Sequence, residues 1–166
     1  MSEIPATLSE ALERFSRVLE GNLPRLKAIT EVQAGTTRES GKWTPKQIIG
    51  HLIDSAANNH GRFVRGQLEQ NSVYVPYSQN EWVNLQNYGA RGWVELLTLW
   101  EAYNRHLFHL MQTAQTPALE HVFQMSTSVS NDKTDGISAV TVKFLMRDYV
   151  RHLEHHLAQI LSTSSV

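Results

Sequence analysis

Apolar residues recur at helical spacing along four long stretches of the chain, and polar, turn-rich segments separate them. The first stretch opens at Thr7-Leu-Ser-Glu10, a Thr followed three residues later by Glu. That is the reciprocal capping pattern that satisfies orphan amides at a helix start. Leu8, Leu12, Phe15 and Leu19 then share one face. Gly21-Asn-Leu-Pro24 interrupts the pattern, and the Pro24 ring opposes the carbonyl of Glu20, so a kink or a restart is predicted there. Leu26 and Ile29 carry the face on to about Val32, and residues 33–42 read as a loop.

Trp43-Thr-Pro-Lys-Gln47 is the clearest helix start in the chain. Thr44 is the predicted N-cap, Pro45 stands where a missing N–H costs nothing, and Gln47 completes the capping box. Ile48, Leu52, Ala56 and Phe63 form the inward stripe to about Gln70, with Ile49 at one margin and His51 at the other. Ser55, Asn58 and Arg62 follow on the His51 side. Residues 71–90 read as a long, aromatic-rich loop, with Tyr74, Tyr77, Trp82 and Tyr88 in it. The third stretch runs from about Arg91 to Thr113, with Val94, Leu97, Trp100, Leu107 and Met111 inward. Residues 115–139 are polar, and Asp135-Gly136 marks a turn, so a short hairpin is an option there. The last helix starts at a cap near Thr141 and runs to about Leu161, with Met146, Val150, Leu153, Leu157 and Ile160 inward. Leu145, Tyr149, His152 and His156 lie along one edge of that stripe.

Four amphipathic segments with little strand signal predict an all-α fold, a four-helix bundle with long loops at 71–90 and 115–139. The 166 residues are read as a single domain, 1–166, long enough for its own core. A net charge of −1 and the absence of a dense Lys/Arg block speak against a nucleic-acid partner. Apolar runs are too short to span a membrane. With no cysteine there is no disulfide or thiolate site, and with no signal peptide at the N-terminus the expected location is cytoplasmic.

The candidate chemistry lies in Tyr149-Val-Arg-His152-Leu-Glu-His155-His156. Residues four apart on a helix project about 40° from one another, so His152 and His156 share a face at a spacing that suits one metal ion. His51 is the candidate third ligand. His155 points about 100° away from His156, although spacing alone leaves a His152/His155 pairing open. A lone helical histidine is usually no ligand, and His60, His106, His109 and His121 are read that way. This is not the H-E-x-x-H arrangement of zinc proteases: Leu153 follows the first histidine and Glu154 falls on the opposite face, so no ready-made general base accompanies the pair.

Trp43-Thr-Pro, His51-Leu-Ile-Asp54-Ser55 and the terminal His152-x-x-His155-His156-Leu-Ala-Gln-Ile160, in that order, resemble the DinB/YfiT-like superfamily. Pro76-Tyr77 and Trp82 resemble its YfiT branch, and the resemblance extends from about residue 8 to residue 161. It implies a four-helix bundle holding a divalent metal, nickel or zinc, on three histidines. By position these are His51, His152 and His156, with Asp54 one turn after His51 as a supporting carboxylate. Ser55, Asn58, Arg62 and Tyr149 are the further candidates for contact with a ligand or the metal's surroundings.

Three neutral imidazoles would leave such an ion its full charge and an open position. Two branches follow: hydrolysis by an acidified water, or transfer of a low-molecular-weight thiol to an electrophile. The resemblance favours the thiol branch, with a small-molecule substrate. No catalytic side chain beyond the ligands is assigned. A non-catalytic binding or stress-response bundle is the alternative of another class, and a homodimer burying Trp82, Trp93 or Trp100, compatible with either reading, is the expected assembly.

Overall fold

The computed structural model describes residues 3–37, 39–74, 76–125 and 138–162. Four long helices form the frame: α1 (Leu8–Lys27), α3 (Pro45–Leu68), α5 (Trp93–Gln112) and α7 (Val142–Leu161). Between them lie three short helices, α2 (Glu31–Gly35), α4 (Gln79–Gln86) and α6 (Thr116–Leu119), and three strands, β1 (Ser72–Tyr74), β2 (Val122–Met125) and β3 (Ser138–Thr141). α1 packs against α5 and α7, and α3 packs against the same two. Around the bundle the order is therefore α1, α5, α3, α7, so α1 and α3 stand diagonally although they follow one another in sequence.

The predicted helix starts are present. Thr7, Thr44 and Thr141 each accept a backbone N–H three residues on, and at Thr44 the Gln47 side chain returns the bond. Every inward position named on α3 and α7 is buried. Three expectations need correction. α1 runs unbroken through Pro24, which lies on the exposed face, while Leu23 and Leu26 are buried on either side and hold the helix on course. Val94 is 74% exposed, because the preceding Trp93 takes the inward place and donates its indole N–H to the Leu26 carbonyl. Trp93 and Trp100 therefore belong to this chain's own core, and of the three tryptophans considered for a dimer face Trp82 alone is exposed.

The third correction concerns the two supposed loops. Residues 71–90 hold β1, α4 and a 3-10 turn at Tyr88–Ala90, and the described part of 115–139 holds α6, β2 and the start of β3. The Asp135-Gly136 turn lies outside the described residues. β1 pairs parallel with β2, Ser72 opposite Phe123, and β2 pairs antiparallel with β3, Phe123 opposite Val140. Phe123 anchors this small sheet against Gly66 of α3, where a Cβ would lie 2.1 Å from the phenyl ring. His121, one residue before β2, has its Nδ1 2.9 Å from the Gly66 carbonyl, which gives that histidine a structural place.

Long-range contacts also fix the start of α5. Its N-cap, Gly92, has no side chain to offer, and Glu31 of α2 accepts the Trp93 amide instead at 2.8 Å. The same carboxylate pairs with Lys46 at the start of α3. The Lys46 hydrogen bond and then the Trp93 amide hold Glu31 below the usual carboxylate range.

Candidate metal centre

α3 and α7 pack side by side, and each brings histidines to the shared seam. His51 is fully buried, and its Nε2 lies 3.2 Å from the Nε2 of His152. The His51 ring centroid is 5.1 Å from that of His152 and 4.7 Å from that of His156, and the α7 pair is 4.5 Å apart. One nitrogen from each of the three rings lies within 4.8 Å of the other two. Among the described residues this is the one group of three or more such side chains close enough to share an ion. His155 stands outside it, packing on the His156 ring at 5.0 Å, so the pairing left open by spacing resolves to His152 with His156.

Burial keeps these imidazoles neutral. Desolvation first, then the neighbouring His156, push His51 down to about 4. Desolvation, then His156 and His51, push His152 down to about 3. His156 is lowered mainly by burial. Neutral rings are the form that ligates metals. The donor set fits a divalent cation in two further ways. Two imidazole nitrogens on one tetrahedral zinc stand about 3.3 Å apart, close to the His51–His152 separation. Imidazole-only sets also suit zinc, nickel and copper. The His156 Nδ1–H donates to Gln159 Oε1 at 3.0 Å, which leaves Nε2 as the lone-pair nitrogen of that ring. The Nδ1 atoms of His51 and His152 are buried without a protein partner, so packing positions those rings, with the Trp43 indole 5.2 Å from His51.

The remaining candidates sort differently. Asp54 is buried one turn from His51, but its Oδ1 accepts from Tyr88 Oη at 2.7 Å and Gln86 Nε2 at 2.6 Å. It clasps the 3-10 turn to α3, and burial raises its pKa despite those bonds. Ser55 and Arg62 are buried and linked through Asn59, which donates to the Ser55 carbonyl and accepts from Arg62. Asn58 donates to the Asp54 carbonyl. Tyr149 donates to Asn104 Oδ1 at 2.6 Å, and its ring sits between Phe15 and Phe63. These contacts make Tyr149 a core residue tying α7 to α5. Two residues at the site carry roles that periodicity did not single out, Trp43 and Gln159. Gln159 stands one turn after His156 and also donates to His155 Nε2 at 3.1 Å, a relation that helical spacing alone could have flagged.

A cleft of about 620 Å³ opens at His156. Trp43, Pro45 and Ile48 form its apolar side, and Glu39, Lys42, Asn80 and Gln159 supply polar groups. The histidine group therefore has the buried His51 on one side and, at His156, an entrance of small-molecule size on the other.

Two predictions follow from this geometry. Gln159→Ala frees the His156 ring from its orienting acceptor and should weaken zinc binding roughly 10-fold, read by competition with a chromophoric chelator. Unchanged affinity would remove Gln159 from the site. The second concerns pH. Above about 6.5 neither the folded nor the unfolded chain protonates these histidines. As pH falls toward 4, the unfolded chain takes up protons that His51 and His152 refuse, so stability of the metal-free protein should drop. The urea midpoint in chelator should be lower at pH 5 than at pH 7, and the drop should shrink in His152→Gln. Equal drops in the two proteins would contradict neutral burial of that ring.

Comparisons with known proteins bear on the family and the fold. The sequence profile of the DinB superfamily matches residues 11–160. The candidate metal-dependent hydrolase OB0782 of Oceanobacillus iheyensis is 34% identical over 149 residues, covering 85% of this chain and 79% of that protein. YfiT of Bacillus subtilis, named in the same way, is 24% identical over 99% of this chain and 80% of its own. The YfiT structure, described as having an unusual four-helix bundle topology, superposes with a TM-score of 0.78 at 22% identity, covering 93% and 84% of the two chains. A mycothiol-dependent maleylpyruvate isomerase superposes at 0.73 with 15% identity, over 96% of this chain and 63% of that one. With a profile match over nearly its whole length and a relative above 30% identity, this helical bundle belongs to the DinB superfamily.

Proposed function

We propose that the protein is a metal-dependent enzyme that holds a divalent ion, nickel or zinc, on His51, His152 and His156. It transfers a low-molecular-weight thiol to an electrophilic small molecule bound in the adjoining cleft. The observation that carries this reading is the convergence of three neutral imidazoles, His51 buried and His152 and His156 half-buried, beside an open cleft that His156 lines, with no carboxylate in the converging group. An ion held there supplies positive charge that lowers the pKa of a thiol or water brought to it.

The chain's own residues do the rest. His51, His152 and His156 hold the charge without neutralising it. Gln159 fixes the His156 tautomer, so its free nitrogen faces the centre. Trp43 closes the His51 side against water, and its apolar wall with Pro45 and Ile48 receives the non-polar part of a substrate. Lys42 and Asn80 stand on the same cleft to meet its polar part. A thiol ionised at the site would need no separate general base, since its proton can leave to solvent through the cleft. Its sulfur would bond to the electrophilic carbon as the bond from that carbon to a leaving group breaks, and the group departs with the electron pair to solvent. The name of the structurally similar isomerase gives a thiol dependence of this kind.

Hydrolysis is the second reading, and one observation favours it. Glu39 lies on the cleft and is the carboxylate that could take a proton from water there. The names of the sequence relatives also point to hydrolysis. The two separate in one assay of untagged, zinc- or nickel-loaded protein. Small thiols with a chromogenic electrophile should turn over in a thiol-dependent manner and lose that turnover in His152→Ala. Turnover of esters or amides at the same rate with no thiol present, together with no thiol transfer, would overturn the proposal in favour of hydrolysis.

A further inference from the structure

A second pair of histidines meets on the other side of α3. His60 of α3 and His106 of α5 bring their Nε2 atoms to 3.3 Å, with ring centroids 4.9 Å apart and the planes at 74°. The Tyr103 ring, one turn before His106, packs 6.1 Å from His60. His60 and His51 are nine residues apart, which on a helix is about 13 Å of rise and about half a turn of net rotation. The pair is therefore separate from the three-histidine centre in both height and face.

Two neutral imidazoles at this distance have two ways to meet. One ring can donate its Nε2–H to the lone pair of the other. Alternatively, both lone pairs can point at one cation, and two nitrogens on a tetrahedral zinc at about 2.0–2.1 Å are about 3.3 Å apart. The separation equals the ligand-to-ligand edge of such a site, and it matches the 3.2 Å between His51 and His152. The rings come from two helices that pack along their length, so their backbone positions are set before any ion arrives. His106 is exposed, leaving the remaining coordination positions to water. Arg105, the cation beside His106 in sequence, is paired with Glu101 and Glu20.

We propose that His60 and His106 form a second binding site for a borderline divalent cation such as zinc, copper or nickel, one that clamps α3 to α5 on the outside of the bundle. With two protein ligands it binds more weakly than the three-histidine centre. Because both helices must be in place to form it, occupancy stabilises the folded chain. This inference stands apart from the proposed enzymatic reading, since different residues carry it.

The test is a zinc titration of untagged protein by equilibrium dialysis, alongside the urea midpoint at each zinc level. Wild type should take up two equivalents, one tight and one weaker, and its midpoint should rise again as the second fills. His106→Ala should retain only the tight equivalent and lose the second rise. His106→Gln keeps a neutral hydrogen-bonding partner for His60 but offers a poor ligand, and should behave like His106→Ala. His152→Ala should lose the tight equivalent and keep the weaker one. A wild type that binds a single equivalent would overturn the proposal. So would a second equivalent of unchanged affinity in both His106 variants, which would place it on other surface histidines such as His109.

Discussion

Zinc or nickel bound by untagged protein should fall from one tight equivalent to almost none when His51, His152 or His156 is replaced by alanine. One nitrogen from each ring lies within 4.8 Å of the others, and the group contains no fourth histidine or carboxylate to take a lost ligand's place. Removing even an outer hydrogen-bonding partner of a ligand typically costs about 10–100-fold in metal affinity, so removing a ligand should cost more. His51→Ala is the most informative of the three. It leaves the α7 pair intact and asks whether two histidines one turn apart suffice. Retention of tight metal in His51→Ala would mean that α3 does not contribute to the centre. His155→Ala serves as the control and should keep the full equivalent, since its ring lies outside the group.

The second large effect is on stability. Gly50→Ala should destabilise the protein by about 3 kcal/mol, the upper end of what inserting a methyl group into a packed interior costs. A Cβ at Gly50 would lie 2.1 Å from Cδ2 and 2.2 Å from Cγ of the Tyr88 ring, well inside contact distance. Tyr88 cannot simply swing aside, because its hydroxyl is bound to Asp54 on the same helix. The substitution therefore forces either the ring or the 3-10 turn away from α3, and leaves a buried carboxylate with one bond fewer. The midpoint of urea unfolding reads the cost. A double-mutant cycle with Tyr88→Leu identifies its origin: the smaller, flexible side chain should recover part of the loss, making the two changes non-additive. Strict additivity would mean that the Tyr88 ring is not what the methyl group meets.

Much of this architecture could be read from residue pattern alone, and the reasons are local. Thr44-Pro45 with Gln47 starts a helix whatever follows, because the capping atoms lie within three residues of one another. The apolar stripes of α3 and α7 were legible because each repeats over about four turns. The four-residue spacing of His152 and His156 put the two rings on one face as a candidate metal pair. That His51 meets them, 101 residues away in sequence, depended on its place at the stripe's edge and on family likeness; helical geometry alone does not dictate it.

What pattern could not supply is tertiary in origin. β1 is three residues long and exists through its pairing with β2, about fifty residues later, so no local signal marks it. Asp54 was legible as a polar residue near the site. Its binding to Tyr88 and Gln86 depends on how the 79–90 segment folds back over α3. Tyr149 shares an edge with His152 and His156, yet the larger pull on it is the aromatic core of Phe15 and Phe63 and the amide of Asn104. Val94 was misplaced by one position, since Trp93 has a larger surface to bury and a carbonyl, Leu26, to satisfy its indole.

The most direct test of the whole account is anomalous diffraction at the absorption edge of the metal, from crystals of untagged protein supplied with zinc or nickel. The account predicts a strong peak within about 2.0–2.1 Å of one ring nitrogen each from His51, His152 and His156. The ion should be open toward the cleft lined by Trp43 and Gln159. No peak at that point in metal-supplied crystals, with the three rings hydrogen-bonded to one another or to other groups, would contradict it.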